Sequence, residues 1–491
     1  MFTLLSVFFA FVMVGILLLV ARFLKHKIKF FETIYLPESI IAGAIALLLG
    51  PGVLGAIAVA SGAGAESYWA GGIFPEEMRN VWSESPGVFI NIVFAALFLG
   101  ETIPNPQEIW RKTAPQVAFG QSLAWGQYTI GILLTLLILS PLFGANPITG
   151  ALIEIGFEGG HGTAAGMADT LSGLDFPEGG DLALGLATVG IVSGIIFGTA
   201  LAHWGRKKGY IATEPVEVAE GDAQFQETAA TESSHVLRKR ASLMRNLLID
   251  PLSLNFGFTG LAVVIGWLIL QVLTWIEAIT WGRNGLELIG AIPLFPLALI
   301  GGIIIQVVMT KLDLDTLIIR RLQERIAGIA LDVLVVTALA SINLAVLGAN
   351  IGIFLTLSIV GIIWNVLAFM YLAPRILPVY WFERGIGDMG QSMGVTATGI
   401  LLIRMVDPDN RTGAFESFAY KQLFFEPIVG GGLFTAAAPA LIVQFGSVTV
   451  LILTTALLAF WLIFGIINCK RTQKAIDAQG TSASETHPIA R

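Results

Sequence analysis

Along most of the chain, apolar runs of membrane length alternate with short polar breaks. The runs predict spanning helices near 3–21, 36–60, 86–100, 114–140 and 180–204. They resume near 255–280, 291–310, 328–347, 349–373, 420–442 and 447–468. Most come close to the roughly 20 residues that a bilayer core requires. Two stretches break the pattern. One, 147–172, contains GFEGGHGTAAGMADT; the other, 381–406, contains GDMGQSMGVTAT. Both are too long for a tight turn and too interrupted by glycine for one continuous helix. From Pro147 to Phe157 a helix would cover only about 16 Å, half of the hydrocarbon thickness. Each stretch fits a re-entrant hairpin, because non-helical backbone survives at membrane depth only where protein or water satisfies it.

Composition strengthens this reading. Of the 491 residues, 55% are hydrophobic and 13% charged, and the mean hydropathy is +0.79. Lipid accepts that much apolar surface and water does not. The alternation of a membrane β-barrel is absent, so the expected class is an all-α polytopic membrane protein. The single cysteine, Cys469, excludes an internal disulfide and cysteine-built metal sites. No convincing cleavage site follows the first run, which reads as a span. Walker A and zinc-protease motifs are absent, and nothing suggests nucleic acid.

The polar segment within 206–254 reads as a linker between two halves, 1–205 and 255–445, with 446–491 forming an additional span and tail. With the N-terminus outside, every one of the 28 lysines and arginines except Arg79 and Arg283 falls on the cytoplasmic face. The C-terminus is then cytoplasmic too. The halves share features: LPESIIAGAIALLLG and FPLALIGGIIIQVV place Gly43 and Gly302 at the same distance after a proline, and each half runs span, Gly-rich hairpin, span. Five spans per half is odd, so the second half is expected to be inverted, an organisation found in secondary transporters.

The chemistry of the breaks follows from residue types. Gly159, Gly160 and Gly162 let the backbone turn sharply and approach a ligand, and Gly390 and Gly394 do so in the second hairpin. A half-helix starting near Thr163 would aim its amides at a carboxylate. The hydroxyls of Thr163, Thr396 and Thr398 are hard oxygens suited to sodium, and Asp388 adds a carboxylate. His161 either donates to the substrate or fixes the loop. Arg404 either serves as a counter-ion or snorkels to the interface. Glu154 and Glu158 fit a watery outer vestibule, and Glu426, beside Pro427, a weak cation site. Asn91, Gln121, Gln306, Asp332, Asn343 and Asn365 either line a path or bond neighbouring helices.

GGHGT (159–163), LPES with Gly43, and GDMGQSMGVTAT together resemble the bacterial sodium/glutamate symporter family, over about 30–445. The resemblance implies a sodium-coupled carrier of glutamate or a related anion in the bacterial plasma membrane. It also implies a homodimer whose moving part carries both hairpins, an elevator-type mechanism, and sodium as coupling ion without another cofactor. The chain departs from the family pattern at Glu158 and Asp388 and by its final span, which leaves another dicarboxylate open as cargo. A rival is an intramembrane aspartyl protease built on GIGD, with Asp388 and Asp332 as the acid/base pair.

Overall fold

The computed structural model describes residues 3–29, 31, 36–64, 67–101, 106–211, 250–284 and 288–478, and among them every regular element is helical. Among the described residues, seven helices are long and apolar enough to cross a membrane. They are α1 (Leu4–Lys27), α2 (Glu38–Ala60, with a π-helical turn at Pro51–Gly55), α4 (Thr113–Phe143 of a helix starting at Pro106), α8 (Gly179–Lys208), α9 (Pro251–Ile279), α12 (Ile351–Ile376) and α16 (Ser447–Lys474). Between them lie α3 (Glu76–Ala96), α5 (Leu152–Phe157), α6 (Gly160–Gly166), α7 (Ala168–Gly173), α10 (Phe295–Lys311), α11 (Arg320–Ala340), α13 (Trp381–Val406), α14 (Ala414–Phe425) and α15 (Leu433–Phe445).

Local signals account for the helix ends. Thr3 caps α1 by accepting from Ser6 N, and Lys25 and Lys27 in its last turn suit the negative end of the dipole. Asp250 accepts from Ser253 N ahead of Pro251 and starts α9. Gly209, at φ 71°, stops α8. The connection between α8 and α9 is therefore shorter than the expected 206–254, and its residues 212–249 lie outside the described residues.

The helices form two bodies. In the first, α3 and α11 pack against each other, α2 lies on α11, α10 lies on α3, and α1 and α9 flank them. Gly43 and Gly302 make the crossings possible. A β-carbon at Gly43 would lie 2.6 Å from Leu339 Cβ, and one at Gly302 would lie 2.4 Å from the Ala95 carbonyl. In the second body α4, α8 and α12 enclose α5–α7 and α13, while α14 and α16 lie along α4.

Two sequence expectations change. The run 420–442 is not one continuous helix. It is interrupted at 426–432, where Pro427 and three glycines lie and where Gly430 and Gly431 take φ 72° and 103°. The expected span 328–347 ends early: α11 stops at Ala340, and Asn343 accepts from Ala345 and Val346 N to start a separate helical turn.

Close packing at Gly43 makes a testable statement. Gly43→Ala should lower the thermal midpoint of detergent-purified protein, corresponding to about 1–3 kcal/mol of overpacking. Gly257→Ala, where nothing lies within 4 Å of an added β-carbon, should leave the midpoint unchanged or raise it.

Candidate functional site

Thirty residues long, α8 extends over roughly 45 Å and serves as a ruler for the two glycine-rich segments. Near its start, Ala168 packs on Gly180; further along, Gly156 meets Leu186, and His161 Nε2 lies 3.0 Å from Thr188 Oγ1. Phe157 reaches Gly190. The 147–173 segment thus climbs to the middle of α8, turns at Glu158–Gly159, and runs back as α6 and α7.

The second segment comes from the other end. Phe382 packs on Gly205 and Leu402 on Gly198, while the Met393 carbonyl would lie 2.1 Å from a β-carbon at Gly190. A break at Gly394 (φ −152°) and Val395 (φ 61°) turns α13 back on itself. The two arms touch, since a β-carbon at Gly390 would lie 3.0 Å from Gly399 Cα, and one at Gly387 would lie 2.5 Å from Ile403 Cδ1. A straight helix would hold residues 387 and 403 about 24 Å apart.

The two turns meet. Gly160 adopts φ 65°, and a β-carbon there would be 2.2 Å from Val395 Cγ1. Valine at positive φ is a strained conformation, held only where surroundings over-determine it. The third break, 426–432, closes the junction from the α4 side. Glu154 Oε1 accepts from Gly430 N and Thr435 Oγ1, both at 2.8 Å, and Oε2 accepts from Tyr128 at 2.5 Å.

A buried polar chain runs outward from the junction. Gln127 Nε2 donates to Asn365 Oδ1 and to the Ser392 carbonyl. Thr396 donates to Glu426 Oε1 at 3.0 Å, and Gln391 bridges to Glu426 and Gln422. Lys421, fully buried, donates to Gln391 Oε1 at 2.7 Å and Asp388 Oδ1 at 2.9 Å, with the Phe425 ring 4.1 Å away. Gln116 supplies a donor to Asp388 Oδ2 at 2.7 Å. Some buried polar atoms here have no hydrogen-bond partner: the Thr163 and Ser392 hydroxyls, Gln127 Oε1 and both carboxylate oxygens of Glu158.

The structure therefore brings Gly159, Gly160, Thr163, Gly394 and Thr396 to one place. His161 is close by, bonded to Thr188, and Thr398 Oγ1 donates to the Gly394 carbonyl. Gly162 faces Ile90 of the first body, and Gly390 faces the returning arm. Arg404 is half-buried on that arm, about 12 Å of helix beyond Thr396. Asp388 accepts one donor at each oxygen, from Lys421 Nζ and Gln116 Nε2.

Further expectations change. Glu154 and Glu158 are not in a watery vestibule; both are buried at the junction. Lys421, counted by sequence among cytoplasmic loop charges, is wholly enclosed, and only its spacing from Asp388 across a hairpin could have hinted at a partner. Asp332 lies beside Ser39 and Glu38, whereas Asp388 faces Lys421 and Gln116. The two carboxylates of the protease reading do not meet.

The Lys421–Asp388 pair predicts a specific double-mutant outcome. Lys421→Met should destabilise the protein by about 3–5 kcal/mol, because it strands a buried carboxylate. Adding Asp388→Asn should restore much of the thermal midpoint, since an amide in that place carries no charge.

No curated protein matches the chain. A family model described as the sodium/glutamate symporter matches residues 114–377, just over half of the chain. That range holds α4, α8, α12 and the first glycine-rich turn, and it ends before Asp388, Lys421 and Glu426. The family is one of transporters, so the chain is not an enzyme. With several apolar helices of membrane length and buried polar breaks midway along them, this chain is a multi-pass membrane protein and belongs to the sodium/glutamate symporter family.

Proposed function

We propose that the chain imports glutamate or a related amino acid across the bacterial plasma membrane, driven by sodium, with cargo and ion bound where the broken helices meet. The observation that carries this reading is the meeting of the Gly160 and Val395 turns midway along α8, beside hydroxyls without partners. Half-helix ends at that depth offer amides to a carboxylate and oxygens to an alkali ion. In this reading the α6 amides from Gly160 onward hold the cargo carboxylate, and the Thr163 and Thr396 hydroxyls face sodium.

The two glycine-rich segments are then re-entrant hairpins entering from opposite faces. The halves 1–205 and 255–445 are inverted repeats, which fits Gly43 and Gly302 performing the same packing task, each against the other half. An elevator movement also fits the contact between the bodies. Gly162 and Gly166 of α6 lie against Ile90, Leu334 and Phe295, an apolar surface that can slide. A second copy would dock on the first body, where α9 presents the exposed Leu261, Val264, Leu268 and Val272. The distribution of basic residues supports an outer N-terminus and a cytoplasmic C-terminus.

Purified protein in liposomes should concentrate labelled glutamate only under an inward sodium gradient; equal uptake without sodium would refute the coupling. Gly160→Ala should abolish uptake while leaving folded protein in the membrane, because its β-carbon collides with Val395 and φ 65° is strained for alanine. For the hairpins, a cysteine at Ala164 should react with impermeant reagents from outside and one at Val395 from the cytoplasm. Labelling of both from one face only, in all conditions, would overturn the inverted arrangement.

A further inference from the structure

The partnerless atoms at the junction share a chemical sense. Both oxygens of Glu158 and Gln127 Oε1 are acceptors, and the Thr163 and Ser392 hydroxyls can accept as well. Glu158 is only 2% exposed and lies alongside the Ser392 hydroxyl, yet neither of its oxygens closes a hydrogen bond. A second carboxylate stands close to it. Glu158 Cγ and Glu426 Oε2 lie 3.6 and 3.5 Å from the β-carbon that Gly430 would carry, and Thr163 Oγ1 lies 2.6 Å from that of Gly431. The glycine turn of 430–431 thus faces two carboxylates and a free hydroxyl.

Among the described residues the one cation near this charge is Lys421, which acts on Glu158 and Glu426 through space and hydrogen-bonds to neither. Glu154 has donors at both oxygens but no cation of its own. The enclosed Lys421 is already given to Asp388 and Gln391. One ammonium therefore serves four buried carboxylates: Glu154, Glu158, Asp388 and Glu426. An isolated carboxylate is not sustained in a low-dielectric interior, and an arriving carboxylate would find acceptors where it needs donors.

We infer that the group seated against Glu158 and Glu426 is a monovalent cation, either a sodium ion or the amino group of the cargo. The inference rests on reading the junction as the transport site and adds the orientation and charge class of what binds there. The positive part of the cargo–ion complex lies at the Glu158 and 430–431 turns, and any carboxylate points away from them. A dicarboxylate with no amino group is then a poor ligand unless sodium accompanies it.

The test uses full-length protein in nanodiscs, titrated with sodium chloride, glutamate, lysine and glutarate, the organic probes with and without sodium. Wild type should bind glutamate or lysine at least tenfold more tightly than glutarate when sodium is absent if the amino group is the occupant. If sodium is the occupant, sodium alone should stabilise the protein against heat. In either case Glu158→Gln should weaken that response at least tenfold. Glu426→Gln should weaken it in the same direction, and neither variant should lower the unliganded thermal midpoint, since each removes a buried charge. Unchanged affinity of Glu158→Gln for sodium and for both amino-bearing probes overturns the inference, as does sodium-free glutarate binding as tight as that of glutamate. Sodium-driven glutamate uptake by Glu158→Gln liposomes at the wild-type rate would sink the cation site while leaving the transporter reading intact; absence of uptake by wild type would remove the transporter reading itself.

Discussion

Backbone and charge taken out of water must find partners inside the protein, and the interior of this chain is arranged around that demand. Three interruptions of helix converge midway along α8 and α4, and most of their polar groups are buried there. Gly430 N is satisfied by Glu154, the Ser392 carbonyl by Gln127 and Asn365, and Asp388 by Lys421 and Gln116. These partners come from four helices, α4, α5, α12 and α14. The helices that hold the breaks are thus held in register by the breaks themselves, a mutual dependence that apolar packing in lipid could not provide.

Around this centre the division of labour is clear. The first body is tied together by glycine-mediated crossings and by polar contacts at its ends, such as Arg320 Nη1 donating to the Leu97 and Leu99 carbonyls. The second body holds the polar chain from Gln116 to Glu426. The helix α16 lies along α4, with Gly465 close to Ala118 and Ile376, and widens the second body on its outer side, away from the junction.

Much of this was legible in the residues. The lengths of apolar runs located the long helices, and glycine density marked both turned-back segments, the second lying in α13, Trp381–Val406. Thr163 and Thr396, singled out for their hydroxyls, both lie at the junction. Three things escaped. The interruption at 426–432 was hidden because EPIVGGG sits inside a run whose mean hydropathy still reads as a span. Lys421 was hidden because charge counting assigns a lysine near a span end to water, and only a partner from another helix reveals that it is enclosed. The role of Glu154 was hidden because an acidic residue among glycines looks solvated, and its three donors come from 128, 430 and 435, distant in sequence.

The contact between Gly160 and Val395 carries a thermodynamic consequence. The two turns occupy neighbouring space with no slack: one is at φ 65°, the other is a valine at φ 61°. Neither can change its backbone conformation without altering the space available to the other. Whatever occupies one turn therefore shifts the conformational equilibrium of the other, and by linkage the reverse influence has the same magnitude. Two segments that approach from opposite ends of α8 are in this way conformationally coupled at their tips.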